Sequence, residues 1–273
     1  MPVELDAAAV ADKAGHGVHE RGLAGAVRAD QADQLALADV EVDVVVAEGQ
    51  LVGLIGPNGA GKTTFVDAIS GFVRYSGGVE LDGEDVGGLP PHARARRGLS
   101  RTWQSTELFD DLTVSENLAV ASRRPSVWEV AKELFGESSA GGEAMDRALD
   151  LVELGWAADL KPEDLSQGQR KLVGVARAIA MEPRLLCLDE PAAGLDTAES
   201  EELGRRLRSL ADGGTSMLLI DHDMGLVLSI CDLVYVLEFG KLIASGPPDR
   251  VRKDPRVITA YLGSAAAAEM TAQ

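Results

Sequence analysis

Residues 51–64 read Leu-Val-Gly-Leu-Ile-Gly-Pro-Asn-Gly-Ala-Gly-Lys-Thr-Thr, an apolar run followed at once by a glycine-rich segment. The segment matches the phosphate-binding pattern G-x-x-x-x-G-K-[ST], and the run before it supplies the strand that this pattern requires. Glycines let successive backbone N–H groups converge on phosphate oxygens, and a helix that begins near Gly61 adds the partial positive charge of its N-terminus. The stretch therefore predicts a nucleotide site built from a strand, a loop and a helix.

Two side chains of the loop carry specific expectations. Lys62 is predicted to neutralise the β- and γ-phosphates, and the Thr63 hydroxyl is predicted to ligate Mg²⁺. A plain glycine-rich turn is the alternative, but the bare pattern occurs by chance in roughly one chain of this length in a hundred. The predicted nucleotide-binding residues of the loop are Gly56, Pro57, Asn58, Gly59, Ala60, Gly61, Lys62, Thr63 and Thr64.

Composition excludes several classes of protein. The chain has 273 residues and a formal net charge of −18, which argues against a broad basic face for a nucleic acid. It contains no apolar run of the 18 or so residues that a membrane span needs, and no secretion signal is recognisable. Of its two cysteines, Cys187 lies in an apolar run, which favours a buried thiol over a disulfide. We expect a cytosolic α/β protein.

Apolar runs and turn signals predict the secondary structure of the rest of the chain. Short apolar runs at 185–188 and 217–220 are typical of parallel strands buried on both faces, with an amphipathic helix at 201–210 between them. Turn signals at 75–88 indicate a hairpin, and the region from about 105 to 180 is mostly helical in pattern, with a loop predicted at 138–142. The sequence thus predicts an α/β nucleotide-binding core, split by a helical insertion.

Two carboxylates follow the apolar run that ends at Leu188. Ligands of open parallel sheets collect at the carboxyl ends of the strands, which is also the edge of the phosphate loop. Asp189 is predicted to hold Mg²⁺ there, and Glu190 is predicted to act as the general base that polarises the attacking water. An acidic loop after a strand is common by itself, so this interpretation depends on the phosphate loop upstream.

For two further segments, a purely structural role is a simpler alternative to ligand binding. Ser166 and Gly168 stand at the start of a predicted helix, where a hydroxyl and free N–H groups can meet an anion. In isolation, a serine that caps its own helix is the favoured interpretation. His222 follows the apolar run 217–220, which places it on the ligand edge, although a lone histidine is more often structural.

Together these segments resemble the ATP-binding cassette (ABC) ATPase family. The phosphate loop, Gln104, the signature 165–169, the pair Asp189-Glu190, the segment 194–196 and His222 occur in that family's order, over about 40–262. The resemblance implies a P-loop (RecA-like) parallel sheet core with an antiparallel β subdomain and a helical subdomain. It also implies an ATPase domain at 37–252, with the helical subdomain at about 105–180, and a family C-terminal extension at 253–264. Residues 1–36 diverge from the family pattern, and the tail 265–273, which lacks a core pattern, is predicted to be disordered.

The family resemblance also implies roles for the remaining site residues. Two cassettes would sandwich two ATP molecules, so Ser166, Gly168 and Gln169 would contact the nucleotide bound by the partner cassette. Gln104 would be a catalytic residue and a Mg²⁺ ligand beside the attacking water, and it would move with the transport partner. His222 would be a catalytic residue that holds the γ-phosphate, and Asp196 would couple the two sites. ATP and Mg²⁺ are the expected cofactors.

Within the family, the chain is most similar to the ATPase subunits of branched-chain amino acid (LIV-type) importers. Segments 56–64, 101–104, 189–195, 221–224 and 254–263 carry this similarity. It implies a hydrolysing subunit on the cytoplasmic face of the membrane, bound to a second cassette, identical or not, and to two transmembrane permease subunits. A solute-binding protein would take part indirectly, and no nucleic acid is expected.

Other functions stay open at this point. The window 27–34, where the family places an aromatic residue against adenine, contains none, so a regulatory subunit with impaired ATP binding is one alternative. Non-transport ABC ATPases of DNA repair or translation are another. About 60 residues without sustained heptads separate Gln104 from Ser166, and a single cassette is present, which disfavours both types.

Overall fold

The structure, a computed structural model, describes residues 23–30, 42–102, 108–121 and 140–261. The strands in these ranges are β1 (Leu23–Asp30), β2 (Val42–Ala47), β3 (Leu51–Ile55), β4 (Ser76–Leu81), β5 (Glu84–Asp85), β6 (Leu99–Arg101), β7 (Leu185–Asp189), β8 (Met217–Ile220), β9 (Leu233–Glu238) and β10 (Lys241–Gly246). The α-helices are α1 (Lys62–Ser70), α2 (Pro91–Arg96), α3 (Val114–Ala121), α4 (Ala140–Leu151), α5 (Gln167–Ile179), α6 (Thr197–Asp212), α7 (Met224–Ile230) and α8 (Pro248–Val251). Residues 255–261 are also helical.

A six-stranded sheet with the order β10-β9-β3-β8-β7-β6 forms the centre of the fold. Every neighbouring pair is parallel except β9 and β10. The carboxyl ends of β3, β7 and β8 therefore meet at one edge, where parallel sheets bind ligands. The predicted parallel strands at 185–188 and 217–220 are confirmed.

Side chains on the two faces of this sheet belong to two separate cores. In β3, Leu51 and Ile55 pack into the core that includes the helical part, whereas Val52 and Leu54 pack into the core beneath α1. The same alternation, with the period of two that a strand imposes, runs through β7 and β8. All residues of β3, β7 and β8 are buried, which explains their unbroken apolar character.

A second sheet, antiparallel and four-stranded, has the order β2-β1-β4-β5. Asp82 and Gly83 form the turn between β4 and β5 with φ of +50° and +76°, the backbone of a two-residue hairpin turn. The hairpin indicated at 75–88 is therefore confirmed. The four-stranded sheet supplies Val42, Val44 and Val46 to the core that also contains α1.

Among the described residues, helices α3, α4 and α5 make up the helical part between β6 and β7. The loop predicted at 138–142 is wrong from Ala140 onward, because α4 begins there. Its buried residues Ala148, Leu149 and the following Val152 pack into the main core. That tertiary packing outweighs the low helix propensity of the two glycines in the first turn of α4.

Two remaining expectations concern membranes and thiols. Within the described residues, no helix combines the length and apolar character needed to cross a bilayer. Cys187 and Cys231 are buried free thiols, as the apolar run around Cys187 predicted. Burial raises the pKa of Cys187 to about 12, so this thiol is protonated and unreactive at neutral pH.

Candidate functional site

The phosphate loop follows β3, and the structure explains why two of its positions require glycine. A Cβ atom on Gly56 would lie 2.2 Å from the carbonyl oxygen of Leu237 in β9, so a side chain there would displace the backbone. Gly61 adopts φ of +101° and is the N-cap of α1. No side chain caps this helix, so its first backbone N–H groups are directed to whatever acceptor enters the loop.

The ammonium group of Lys62 lies inside the loop. Its Nζ donates hydrogen bonds to the carbonyl oxygens of Gly56, at 2.6 Å, and of Pro57, at 3.2 Å. Burial lowers the pKa of Lys62, and nearby carboxylates, led by that of Glu190, oppose this shift. Phosphate oxygens would replace the two carbonyls as acceptors, so the loop fits a nucleotide phosphate.

The other predicted binding residues lie in the loop itself or in the first turn of α1. Ala60 is buried, and its carbonyl accepts a hydrogen bond from the N–H of Gly240 at 2.9 Å, which ties the loop to the turn between β9 and β10. Thr63 is exposed at the start of α1, within reach of a ligand in the loop. The remaining predicted nucleotide-binding residues of this segment are Asn58, Gly59 and Thr64.

Asp189 ends β7 and is held by an arginine. Arg101 donates through Nη2 to Asp189 Oδ2 at 2.7 Å and through Nη1 to Asp67 Oδ1 at 2.6 Å. The side chains of Arg101 and Asp189 are 8% and 4% exposed, so this is a buried ion pair. The N–H of Asp189 also donates to Thr102 Oγ1 at 3.3 Å. Sequence reasoning assigned no role to Arg101 or Asp67, although an arginine at the end of a buried strand was a usable signal.

Glu190 and His222 meet beside Asp189. Glu190 adopts φ of +47°, a conformation that is uncommon for residues with a side chain and is often retained at functional sites. Its N–H donates to the carbonyl oxygen of Ile220 at 2.7 Å, which fixes the turn against β8. Glu190 Oε1 lies 3.8 Å from Nδ1 of His222, whose side chain is 54% exposed. The two predicted catalytic side chains therefore share one edge of the sheet.

Asp221 supports both of the loops that carry these side chains. Its Oδ2 accepts a hydrogen bond from the N–H of Ala192 at 3.3 Å, and its Oδ1 accepts from those of His222, at 2.8 Å, and Asp223, at 3.0 Å. Burial raises the pKa of Asp221, and these backbone hydrogen bonds oppose the shift. Asp221 is a supporting residue that sequence reasoning missed. A polar residue directly after the buried strand β8 was the signal.

The predicted signature residues form a helix cap in this chain. Ser166 Oγ accepts a hydrogen bond from the N–H of Gln169, and Gln169 Oε1 accepts one from the N–H of Ser166, which is a capping box at the start of α5. The N–H of Gly168 donates to Glu199 Oε1 at 3.1 Å. In the described part of the chain, no hydrogen bond or ion pair joins residues 166–169 to residues 56–64.

The segment predicted to couple two sites lies against the signature. Gly194 has φ of +78°, and a Cβ atom there would lie 3.0 Å from Nε2 of Gln167. Asp196 caps α6, because its Oδ1 accepts a hydrogen bond from the N–H of Glu199 at 2.9 Å. Gln167 and Gly194 thus pack closely in the same chain.

Gln104, predicted as a catalytic residue and a Mg²⁺ ligand, lies outside the described residues, as does the 31–34 part of the window for an adenine-stacking residue. The two residues that precede the 103–107 gap, Arg101 and Thr102, line a groove of about 500 Å³ between the sheet core and α5. Phe72, at the rim of this groove, is 51% exposed. The lining also includes Lys171, Val175 and Pro191.

The donor set at the sheet edge suits a metal that arrives with a nucleotide. Among the described residues, no group of three or more His, Cys, Asp and Glu side chains could hold a metal ion by itself. A hydroxyl from Thr63 and a carboxylate from Asp189 are oxygen donors of the kind that Mg²⁺ takes together with phosphate oxygens and water. The site therefore fits Mg²⁺ bound to a nucleotide.

Comparison with known proteins decides the family. Residues 40–193, more than half of the chain, match the family model described as "ABC transporter". The chain belongs to the ABC transporter family. It is an ATP-binding and ATP-hydrolysing subunit, as the phosphate loop and the carboxylates at the sheet edge predicted.

Two curated relatives of this ABC ATPase show the same relationship along most of their length. BraF of Pseudomonas aeruginosa, a high-affinity branched-chain amino acid transport ATP-binding protein, is 41% identical over 232 residues, 82% of this chain and 91% of BraF. LivG of Escherichia coli K12, which has the same description, is 39% identical over 239 residues, 85% of this chain and 93% of LivG. The predicted resemblance is confirmed.

The fold and the C-terminal segment of the cassette also have matches. A solved structure of the ADP conformation of an ATP-binding cassette of an ABC transporter superposes with a TM-score of 0.74 at 28% identity, covering 90% of this chain and all of that one. Residues 241–267 match a model described as "Branched-chain amino acid ATP-binding cassette transporter". The predicted ABC cassette fold is confirmed.

Tyr261 joins this C-terminal segment to the core of the cassette. Its ring packs against the main core, next to the buried Val257. Its hydroxyl is buried without a hydrogen bond of ordinary geometry among the described residues. Burial raises the pKa of Tyr261 to about 12, and the N–H of Gly56 opposes this shift. The helix at 255–261 therefore places the Tyr261 hydroxyl next to Gly56, the first glycine of the phosphate loop.

Substitution of Tyr261 should separate packing from hydrogen bonding. Tyr261→Ala opens a cavity and is expected to lower the free energy of unfolding by about 2–4 kcal/mol. Tyr261→Phe removes a poorly bonded hydroxyl, so the change should stay within about 1 kcal/mol. Urea denaturation measures both, and Thr259→Ala, an exposed position on the same helix, is the matched control. An equal loss in the phenylalanine and alanine variants would show that the hydroxyl, not the ring, stabilises the fold.

Proposed function

We propose that this chain is the ATP-hydrolysing subunit of an importer for branched-chain amino acids, attached peripherally to the cytoplasmic face of the membrane. The observation that supports hydrolysis is the meeting of Lys62, Asp189 and Glu190 at one edge of the central sheet. The match of residues 241–267 to a branched-chain amino acid transporter model supports the class of solute.

In this proposal the phosphate end of the nucleotide is held by the loop 56–64. Lys62 moves from its two carbonyl acceptors to the β- and γ-phosphates, and the N–H groups at the start of α1 contribute further hydrogen bonds. Thr63 and Asp189, with Gln104, would hold Mg²⁺, and the ion would supply positive charge to the phosphate oxygens.

The hydrolytic step needs a base and a group that stabilises the developing charge. Glu190 accepts a proton from the attacking water, and its side chain is 18% exposed at the edge where that water enters. His222 lies 3.8 Å from Glu190 and donates to the γ-phosphate. Asp221 fixes the backbone of His222 and so keeps this pair together.

A second cassette completes the site. Ser166, Gly168 and Gln169 of one chain are assigned to the nucleotide on the phosphate loop of the other. Two observations support this assignment: the segment is bonded within its own helix cap and to Glu199, and Ser166 is exposed. Asp196, next to this segment, would couple the two sites.

Two permease subunits are the proposed membrane partners, with a solute-binding protein acting through them. The groove between the sheet core and α5 is their proposed contact, because it has an exposed aromatic rim at Phe72 and reaches Thr102. An occupant of the groove would contact Thr102, two residues before Gln104 in the sequence, which fits the proposal that Gln104 responds to the transport partner.

The domain boundaries follow from the same proposal. We assign the ATPase domain to 37–252, with a helical subdomain at about 105–180. The segment 1–36 before it diverges in sequence, yet its residues 23–30 supply β1 to the four-stranded sheet of the domain. Residues 253–261, the described part of the extension 253–264, pack onto the domain through Val257 and Tyr261. The tail 265–273 is assigned no role.

Transport in a reconstituted system tests the proposal. The chain would be co-purified with its permease and solute-binding partners, placed in liposomes and supplied with ATP and labelled leucine, isoleucine or valine. ATP-dependent uptake of at least one of these is expected, and it should disappear in the Glu190→Gln variant. Normal ATP hydrolysis without uptake of any branched-chain amino acid would overturn the assignment of the solute. Stimulation of hydrolysis by DNA or ribosomes would favour the non-transport alternatives.

A further inference from the structure

We propose that Arg101 is a positioning residue of the ATPase site, a built-in counter-cation that orients Asp189 for Mg²⁺ and connects the metal site to the groove beside α5. The inference rests on the proposed role of Asp189 as a metal-holding residue. It concerns a residue that the motifs of the sequence did not single out as functional.

The first argument is the burial of the ion pair. Arg101 and Asp189 are 8% and 4% exposed, and their contact is 2.7 Å, so solvent screens this pair far less than a surface ion pair. Breaking a buried pair leaves an uncompensated charge, so the arrangement holds Asp189 through Oδ2 in one orientation. Mg²⁺ therefore meets a carboxylate that already shares its charge with a cation.

The second argument is the fork of the guanidinium. One nitrogen of Arg101 contacts Asp189, and another contacts Asp67 at 2.6 Å. Asp67 lies four residues after Thr63 on α1, and residues at that spacing share a helix face. Arg101 thus links the helix that carries the hydroxyl ligand to the strand that carries the carboxylate. A planar fork can do this, whereas a single ammonium cannot hold both partners in the same geometry.

The third argument is the position of Arg101 in the chain. Arg101 and Thr102 both line the groove, and Thr102 Oγ1 accepts a hydrogen bond from the N–H of Asp189. Two consecutive residues therefore reach Asp189 from the groove, one through its carboxylate and one through its backbone. An occupant that shifts these residues changes the orientation of the Asp189 carboxylate directly.

The test separates the charge of Arg101 from its geometry. Arg101→Met removes the charge, and Arg101→Lys keeps the charge but loses the fork. Arg184→Met is the matched control, because Arg184 also pairs with an aspartate, Asp82, but at the surface, and Arg184 does not line the groove. The readouts are the Mg²⁺ dependence of the binding of a fluorescent, non-hydrolysable ATP analogue, the turnover of ATP, and thermal unfolding as a check on folding.

Opposite changes in metal binding and turnover are expected. In Arg101→Met, loss of a competing positive charge should lower the Mg²⁺ concentration at half-saturation by about threefold or more. Its turnover should fall by about tenfold or more, because Asp189 is no longer oriented. Arg101→Lys should keep the Mg²⁺ midpoint within about twofold and still lose turnover. Arg184→Met should match the wild-type chain in both.

Several results would overturn the inference. An unchanged or higher Mg²⁺ midpoint in Arg101→Met would remove the counter-cation role, and wild-type turnover in a folded variant would remove the positioning role. If Arg101→Met does not fold, Arg101→Lys decides alone, and wild-type turnover in that variant overturns the inference. A wild-type chain that binds no ATP analogue at any Mg²⁺ concentration would instead reject the proposed function itself.

Discussion

Glu190→Gln is expected to bind ATP as tightly as the wild-type chain and to hydrolyse it about 10²–10⁴-fold more slowly, the usual contribution of a positioned general base. The amide has the size of the carboxylate but cannot accept a proton from water. The backbone of residue 190 is held by its own hydrogen bond to the carbonyl oxygen of Ile220, so the substitution should leave the turn intact.

The measurement combines nucleotide binding with single-turnover hydrolysis. Glu182→Gln is a matched control, because Glu182 also has a left-handed backbone, with φ of +49°, and pairs with Arg147 at the surface. This control should bind and hydrolyse ATP like the wild-type chain. Near-normal turnover in Glu190→Gln would exclude Glu190 as the base and direct attention to His222 in its place.

The parts of the site that the sequence predicted are those with a local signature. The strands β3, β7 and β8 are buried on both faces, so their apolar runs stand out, and their polar ends mark the ligand edge. Because parallel strands align their carboxyl ends, Asp189 and His222 could be placed at the same edge without coordinates. Element boundaries were less accurate: α6 begins at Thr197, earlier than the predicted 201, because Asp196 caps it.

The features of the site that could not be predicted from the sequence depend on contacts between residues far apart in the chain. Arg101 meets Asp67 and Asp189 across separations of 34 and 88 residues, and no local pattern encodes such a pair. The left-handed backbone of Glu190 also arises from its position between β7 and the loop that Asp221 supports. Burial and long-range hydrogen bonding, unlike periodicity, become visible only in the folded chain.

Lys62→Met is expected to weaken ATP binding by about 10²-fold or more. Charge-assisted hydrogen bonds contribute about 1.5–3 kcal/mol each, and the loss of two such bonds to phosphate corresponds to that change in Kd. In the structure the same ammonium already spans two acceptors, the carbonyl oxygens of Gly56 and Pro57. Methionine has a similar length and can fill the same space, so the variant loses the charge and the donors but little packing.

A second buried lysine provides the control. Lys171 is 9% exposed and Lys62 is 6% exposed, burial lowers the pKa of each, and Glu190 and Asp221 oppose the shift in both. Lys171 lies on α5 and lines the groove rather than the phosphate loop. Isothermal titration with ATP should therefore give Lys171→Met a Kd within about threefold of the wild-type value, since the position contributes no bond to phosphate.

The pair of variants distinguishes a local effect from a general one. If both lysine variants lost ATP binding equally, the cause would be the loss of a buried positive charge near Glu190 and Asp221, and the phosphate-binding role of Lys62 would be rejected. If only Lys62→Met loses binding, the position of the ammonium decides the result, because both lysines are buried and charged and both face Glu190 and Asp221. The loop that begins at Gly56 would then be established as the phosphate end of the site by measurement, independently of the family resemblance.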